Sequence, residues 1–136
     1  MKGLQILKTA DSGFAGFMKD EFTTLPETHD RLFGTVLKAE WDYRDRGASF
    51  NDTHRDVRAT LLDCFAQHKS LSVQQTLFAM GEAVLNKVEA VAGIRLIMPN
   101  KHCLLVDLAR FGVDNANQIF VPIEEPSGYI EARIER

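Results

Sequence analysis

Residues 32–43 constrain the fold of this chain more than any other stretch. Phe33, Leu37, Ala39, Trp41 and Tyr43 alternate there with Gly34, Lys38, Glu40 and Asp42. A period of two is the signature of a strand with one buried face. Successive side chains of a strand point to opposite sides, so an apolar layer must cover one of them. The next segment supplies that layer. Val57, Leu61, Cys64, Phe65 and His68 recur at helical spacing, with Asn51, Asp52 or Thr53 available as the cap. Ser72 then opens a second helix, with Gln75 placed as in a capping box. Val73, Leu77, Met80, Val84 and Leu85 form its apolar stripe.

Residues 4–8 read as a short strand ahead of the long one. After the helices come strand-like runs at 94–98 and 103–108, then 119–122, a turn at Pro126-Ser127-Gly128, and Ile130, Ala132 and Ile134 on one face. The order is strands, helices, strands. It predicts a single α+β domain over residues 1–136, an antiparallel four-stranded sheet of order ββααββ with both helices on one face. The other face and the sheet edges stay uncovered, and such a unit buries them against copies of itself or a relative.

Composition excludes several classes. A chain of 136 residues, 45% apolar and 26% charged, is an ordinary globular domain with a core of its own. A net charge of −3 gives no basic field for nucleic acid. Cys64 and Cys103 lie in helix-like and strand-like segments without a C-x-x-C pairing, which predicts free buried thiols and a reducing compartment. Residues 1–8 carry too few consecutive apolar residues for a signal peptide, no run reaches membrane-spanning length, and the chain ends Ile134-Glu135-Arg136 rather than in a peroxisomal S-K-L. The expectation is a cytoplasmic protein with no membrane and no nucleic-acid partner.

The chemistry gathers elsewhere. Pro99-Asn100-Lys101-His102 separates two apolar runs, and such a polar set contributes nothing to a core. In an extended segment Asn100 and His102 share a face; the amide can hold a small diatomic or a water, and an imidazole can relay a proton. They read equally as a polar turn closing a hairpin. Arg31 can grip two acceptors of a planar ligand with its guanidinium fork, or pair at the surface with Asp30 or Glu27. Val73 and Gln74 occupy the first turn of the second helix, where free N–H groups favour an anion. The Gln74 side chain both donates and accepts, which matches an amide-like edge of a heterocycle; otherwise it is merely solvated. Phe14, among glycines and alanine, can stack on a ring or pack in the core, whereas Phe17 and Phe22 read as core. His68 reads as a helix boundary. Cys103 and His102 are strand neighbours on opposite faces and form no nucleophilic pair. No histidines stand at metal-ligand spacing with a carboxylate, so no metal site is expected.

These pieces in order resemble the C-terminal half of the urate oxidases. They are Leu7-Lys8-Thr9 with Gly13-Phe14 and Gly16-Phe17; Asp20-Glu21-Phe22-Thr23-Thr24-Leu25 and Glu27-Thr28-His29-Asp30-Arg31; Ser72-Val73-Gln74-Gln75-Thr76; Met98-Pro99-Asn100-Lys101-His102; and Gly128-Tyr129-Ile130-Glu131-Ala132. The resemblance implies the tunnelling fold, units of which lie in tandem in each family chain and stack into a tunnel, with the substrate between subunits. It implies oxidation of urate by dioxygen to 5-hydroxyisourate with release of hydrogen peroxide, without metal or organic cofactor. Phe14 would stack on the purine, Arg31 and Gln74 would grip its edges, the Val73 N–H would bond it and Leu25 would line the pocket. Asn100 would hold dioxygen or water, and His102 would serve a proton relay. In the family a lysine and a threonine of the N-terminal half act as the base. Neither can be carried over, and Lys8-Thr9 is not that pair. Cys103, where an aromatic or histidine is common, and Pro26 before Glu27 are small departures. The expected partners are therefore urate, dioxygen, and a copy of the chain or an N-terminal uricase half. A purine- or pterin-binding module without catalysis, or a subunit that only assembles, are the other readings.

Overall fold

The computed structural model describes residues 1–136, the side chain of Pro126 apart. Strands β1 (Leu4–Lys8) and β2 (Phe33–Tyr43) lead to helices α1 (Phe50–Gln67) and α2 (Val73–Lys87), and these to strands β3 (Val91–Leu105) and β4 (Phe120–Glu135). The four strands form one antiparallel sheet in the order β1-β2-β3-β4.

Alternation decides what the sheet buries. Phe33, Leu37 and Ala39 of β2 and Ile94, Leu96 and Met98 of β3 face the helices and are fully buried. Val57, Leu61 and Phe65 of α1 and Leu77, Met80 and Val84 of α2 meet them. Ile130, Ala132 and Ile134 of β4 complete the margin, where α2 comes so close that a Cβ on Gly81 would stand 2.5 Å from Ile134 Cδ1. The other face carries charge. Lys38, Glu40, Arg95 and Glu131 form a ladder of ion pairs across three strands, and Arg133 joins Asp42 to Glu135. Lys8 is an exception to the charged-out pattern. Its buried ammonium donates to the carbonyls of Phe65 (3.2 Å) and Ala66 (2.8 Å), in the last turn of α1 where carbonyls lack helical partners. No helix among the described residues is long and apolar enough to cross a membrane. Cys64 and Cys103 are both free and half-buried.

Four expectations change. The run at 94–98 and the first half of that at 103–108 are one strand, β3, which passes straight through Pro99-Asn100-Lys101-His102 and ends at Leu105. The ladder from β2 steps from Ile97 to Lys101, so the N–H that Pro99 lacks falls where β2 makes no pair. β4 is likewise continuous. Of the turn expected at Pro126-Ser127-Gly128, the Pro126 side chain lies outside the described residues, and Gly128 pairs with Asn100 inside the ladder. The bend is taken up by a register step, since Asn100 faces Gly128 but His102 faces Ile123. Helix α1 starts earlier than its expected caps: its N-cap is Ser49, whose hydroxyl bonds the Asp52 side chain rather than the backbone. Phe22 is not core but 80% exposed, in a loop that no element covers, and Phe17 is only half-buried. The boundary role of His68 holds, as the C-cap of α1.

Candidate functional site

Three chain segments meet at one end of the core. Ser12 and Ser70 form a parallel bridge, and Phe14 and Thr28 an antiparallel one. Gly13 N–H donates to the Ser70 carbonyl (2.8 Å), Phe14 and Thr28 exchange both backbone bonds (2.7 and 3.0 Å), and Arg31 N–H donates to the Ser12 carbonyl (2.9 Å). Gly13 is required there, because a Cβ would stand 2.7 Å from the Thr28 carbonyl oxygen. This lacing sets Phe14 and Arg31 against the start of α2 and the middle of β3. The result is a cavity of about 340 Å³, lined by Phe14, Leu25, Arg31, Val73, Gln74, Asn100 and His102 together with Pro26, Thr28 and Ile130. All seven residues singled out in the sequence thus come together in it. Pro26, Thr28 and Ile130 were not anticipated. Only Ile130 carried a signal, as the continuation of the Ala132 and Ile134 stripe.

Arg31 has no carboxylate partner among the described residues. The surface-pair alternative fails because both nearby acids are engaged elsewhere: Glu27 with Lys19 at 3.0 Å and with the Gly16 N–H, and Asp30 with the Asn117 amide. Arg31 Nε donates to the Gly13 carbonyl at 3.1 Å, while its Nη2 is buried without an acceptor. Its guanidinium carbon lies 5.7 Å from the centroid of Phe14 and 5.6 Å from that of Phe33. Burial lowers its pKa from the ordinary arginine value, yet guanidinium is the strongest base among side chains and keeps its charge. Phe17 stacks on Phe14 with centroids 4.6 Å apart, which covers one face of that ring. Phe17 is therefore part of the ring platform rather than of the core.

Helix α2 contributes its first turn. The Ser72 hydroxyl accepts the Gln75 N–H at 3.1 Å, and the Gln75 side chain reaches back to the N–H of Leu71 at 2.9 Å. The first bond is that of the expected capping box, and the return bond falls one residue before the N-cap. The N–H groups of Val73 and Gln74 have no intrahelical acceptor by position and carry partial positive charge. Val73 itself is buried, and the Gln74 side chain is exposed. On β3, Asn100 and His102 share the face of Met98, and Asn100 Nδ2 lies 3.4 Å from His102 Nε2. A neutral ring with its proton on Nδ1 accepts from the amide there. The cavity lining holds a guanidinium, a helix N-terminus, two amides and an imidazole, but no carboxylate. Such a site suits a flat anion with donors and acceptors on its edges. Among the described residues no group of three or more His, Cys, Asp and Glu is placed to hold a metal ion.

Comparison with known proteins gives this site a family. The sequence model of the uricases matches residues 1–131. The chain is 43% identical to a uricase of Arthrobacter globiformis over 136 residues, all of this chain and 45% of that protein. It is 42% identical to a uricase of Dictyostelium discoideum over 133 residues, 98% of this chain and 46% of that protein. It superposes on the crystal structure of the Arthrobacter globiformis uricase with a TM-score of 0.95, covering 99% of this chain and 47% of that one. A urate oxidase of Bacillus sp. TB-90 shares the fold at a TM-score of 0.80 with 20% identity, over 98% of this chain and 46% of that one. The chain thus spans about half the length of the uricases it matches. With its ββααββ sheet in the tunnelling fold, and with the family match running over nearly its whole length, the chain belongs to the uricase family.

Proposed function

We propose that this chain supplies the purine-clamping half of a urate oxidase site. The observation that carries the reading is Arg31: a half-buried cation beside a helix N-terminus, with no carboxylate in the cavity it lines. A buried unpaired donor costs about 1–3 kcal/mol, which a bound anion offsets. In this reading urate lies against the Phe14 ring. Arg31 and Gln74 hold its two edges, the Val73 N–H bonds it and Leu25 closes the rim. Asn100 holds dioxygen or water over the ring, and His102, bonded to that amide, passes protons. Urate, dioxygen and water give 5-hydroxyisourate and hydrogen peroxide; urate loses two electrons to dioxygen, and water supplies the new hydroxyl. The chain's own residues bind the anion, keep it flat and place the oxidant, which is catalysis by positioning and electrostatic complementarity.

No lysine–threonine base is assigned to these residues, so turnover requires a second tunnelling-fold unit that supplies one. Equilibrium dialysis with urate, oxygen excluded, tests the clamp. Saturable binding that is lost in Arg31→Ala and weakened in Gln74→Leu is expected. Equal binding by the wild type and Arg31→Ala would overturn the assignment. Binding with no oxygen uptake under any pairing would leave a purine-binding module instead.

A further inference from the structure

Behind the cavity lies a buried cluster of hydroxyls that touches no candidate ligand position. Ser70 and Thr76 are each no more than 1% exposed. Thr76 Oγ1 lies 2.8 Å from Ser70 Oγ and 3.0 Å from the Ser72 carbonyl, and Ser70 Oγ lies 3.2 Å from that same carbonyl. Two hydroxyl protons make two of these three bonds at a time, and the Ser70–Thr76 bond can run in either direction. The backbone of Ser70 faces the other way: its carbonyl accepts from Gly13 and its N–H donates to Asp11, both at 2.8 Å. Gly13 in turn holds Arg31 Nε, and Ser72 is the N-cap from which Val73 and Gln74 follow.

Ser70 is therefore common to both jaws of the clamp. Its main chain fixes the loop that aims Arg31, and its hydroxyl fixes the carbonyl from which α2 starts. Resting on the clamp reading above, we infer that Ser70 and Thr76 are positioning residues that set the spacing between Arg31 and the Val73–Gln74 end of α2. A shared hydrogen-bonded triangle resists the relative slip of the two segments, which apolar packing alone permits. Ligand affinity, and discrimination for the width of a purine, then depend on hydroxyls that never touch the ligand.

Thr76→Val keeps the shape and removes the hydroxyl; Thr76→Ser keeps the hydroxyl. Urate affinity in Thr76→Val and Ser70→Ala should fall by roughly tenfold, the equivalent of one buried hydrogen bond. Thr76→Ser should stay near the wild type. In an Arg31→Lys background the Thr76→Val substitution should cost far less, since one jaw has already lost its fork. An equal loss in both backgrounds, or a loss in Thr76→Ser matching that in Thr76→Val, would reduce the cluster to a folding role. Amide hydrogen exchange separates this inference from the clamp reading. Should the wild type bind no urate, the clamp reading fails, and exchange still decides the coupling. Thr76→Val should speed exchange at the Gly13 N–H and leave Met80, mid-helix, unchanged, with Thr76→Ser restoring protection. Unaltered Gly13 protection in Thr76→Val would overturn the coupling.

Discussion

Leu77 and Arg31 belong to the same layer of the molecule and live by opposite rules. Leu77 is 1% exposed in the same apolar cluster as Leu61, Met80 and Leu96, and its side chain has no polar atom to satisfy. Arg31 sits at the end of that layer with one nitrogen buried and unpaired, over rings that stabilise a cation only weakly. The core holds the fold and carries no chemistry. The site is assembled from loop residues and element ends, fixed by main-chain bonds, and leaves a charge, a helix terminus and an imidazole open to a ligand. Stability and binding should therefore separate cleanly by residue.

The largest effect belongs to the core. Leu77→Ala should destabilise the chain by about 2–5 kcal/mol through lost burial and the cavity left behind. Urea unfolding measures it, and a loss well under 1 kcal/mol would mean the two regions do not differ as described. Next comes Arg31→Ala. Its unfolding midpoint should hold or rise, because an unpaired buried donor has been removed, while urate affinity should fall by roughly a hundredfold, as charged hydrogen bonds are lost. A midpoint drop as large as that of Leu77→Ala would make Arg31 a structural residue.

Gly13→Ala probes the seam between the regions. The added methyl meets the Thr28 carbonyl, so the lacing of residues 12–14 to 28–31 must shift, at about 1–3 kcal/mol. Both the unfolding midpoint and urate affinity should fall, and a change in only one would show that the loop does not join core and site. The smallest effect lies on the far face of the sheet. Hydrogen bonding to Lys38, with the Lys38 and Arg95 charges, holds the Glu40 carboxyl below the ordinary glutamate range. A depressed carboxylate contributes stability that is present above its unfolded-state pKa and lost as pH falls through its folded value. Glu40 is solvent-exposed, so Glu40→Gln should only slightly flatten the acid limb of the thermal midpoint against pH. A large shift would mark the ladder as structural.

The sequence was most legible where burial writes a period. The alternation around Leu37 located β2, and the spacings of Leu61 and Leu77 located both helices with their buried faces. It was least legible where main-chain bonds do the positioning. Nothing in the residue types says that Gly13 reaches Ser70 or that Phe14 pairs with Thr28, so the closure of the cavity was not visible. Pro99 read as an interruption because proline lacks an N–H; only the register reveals that β2 asks nothing of it there. Asp30 and Glu27 beside Arg31 suggested an ion pair, and three-dimensional competition from Lys19 and Asn117 removed it. The seven candidate residues were identified by chemical type and by resemblance to the urate oxidases. Their convergence is a property of the fold.

Oxygen uptake with urate, followed for the purified chain alone and after addition of an N-terminal tunnelling-fold unit from a uricase, tests the central claim most directly. No uptake by the chain alone is predicted, then uptake with peroxide release on mixing, abolished by Arg31→Ala. Turnover by the chain alone, or turnover on mixing that survives Arg31→Ala, would contradict the account.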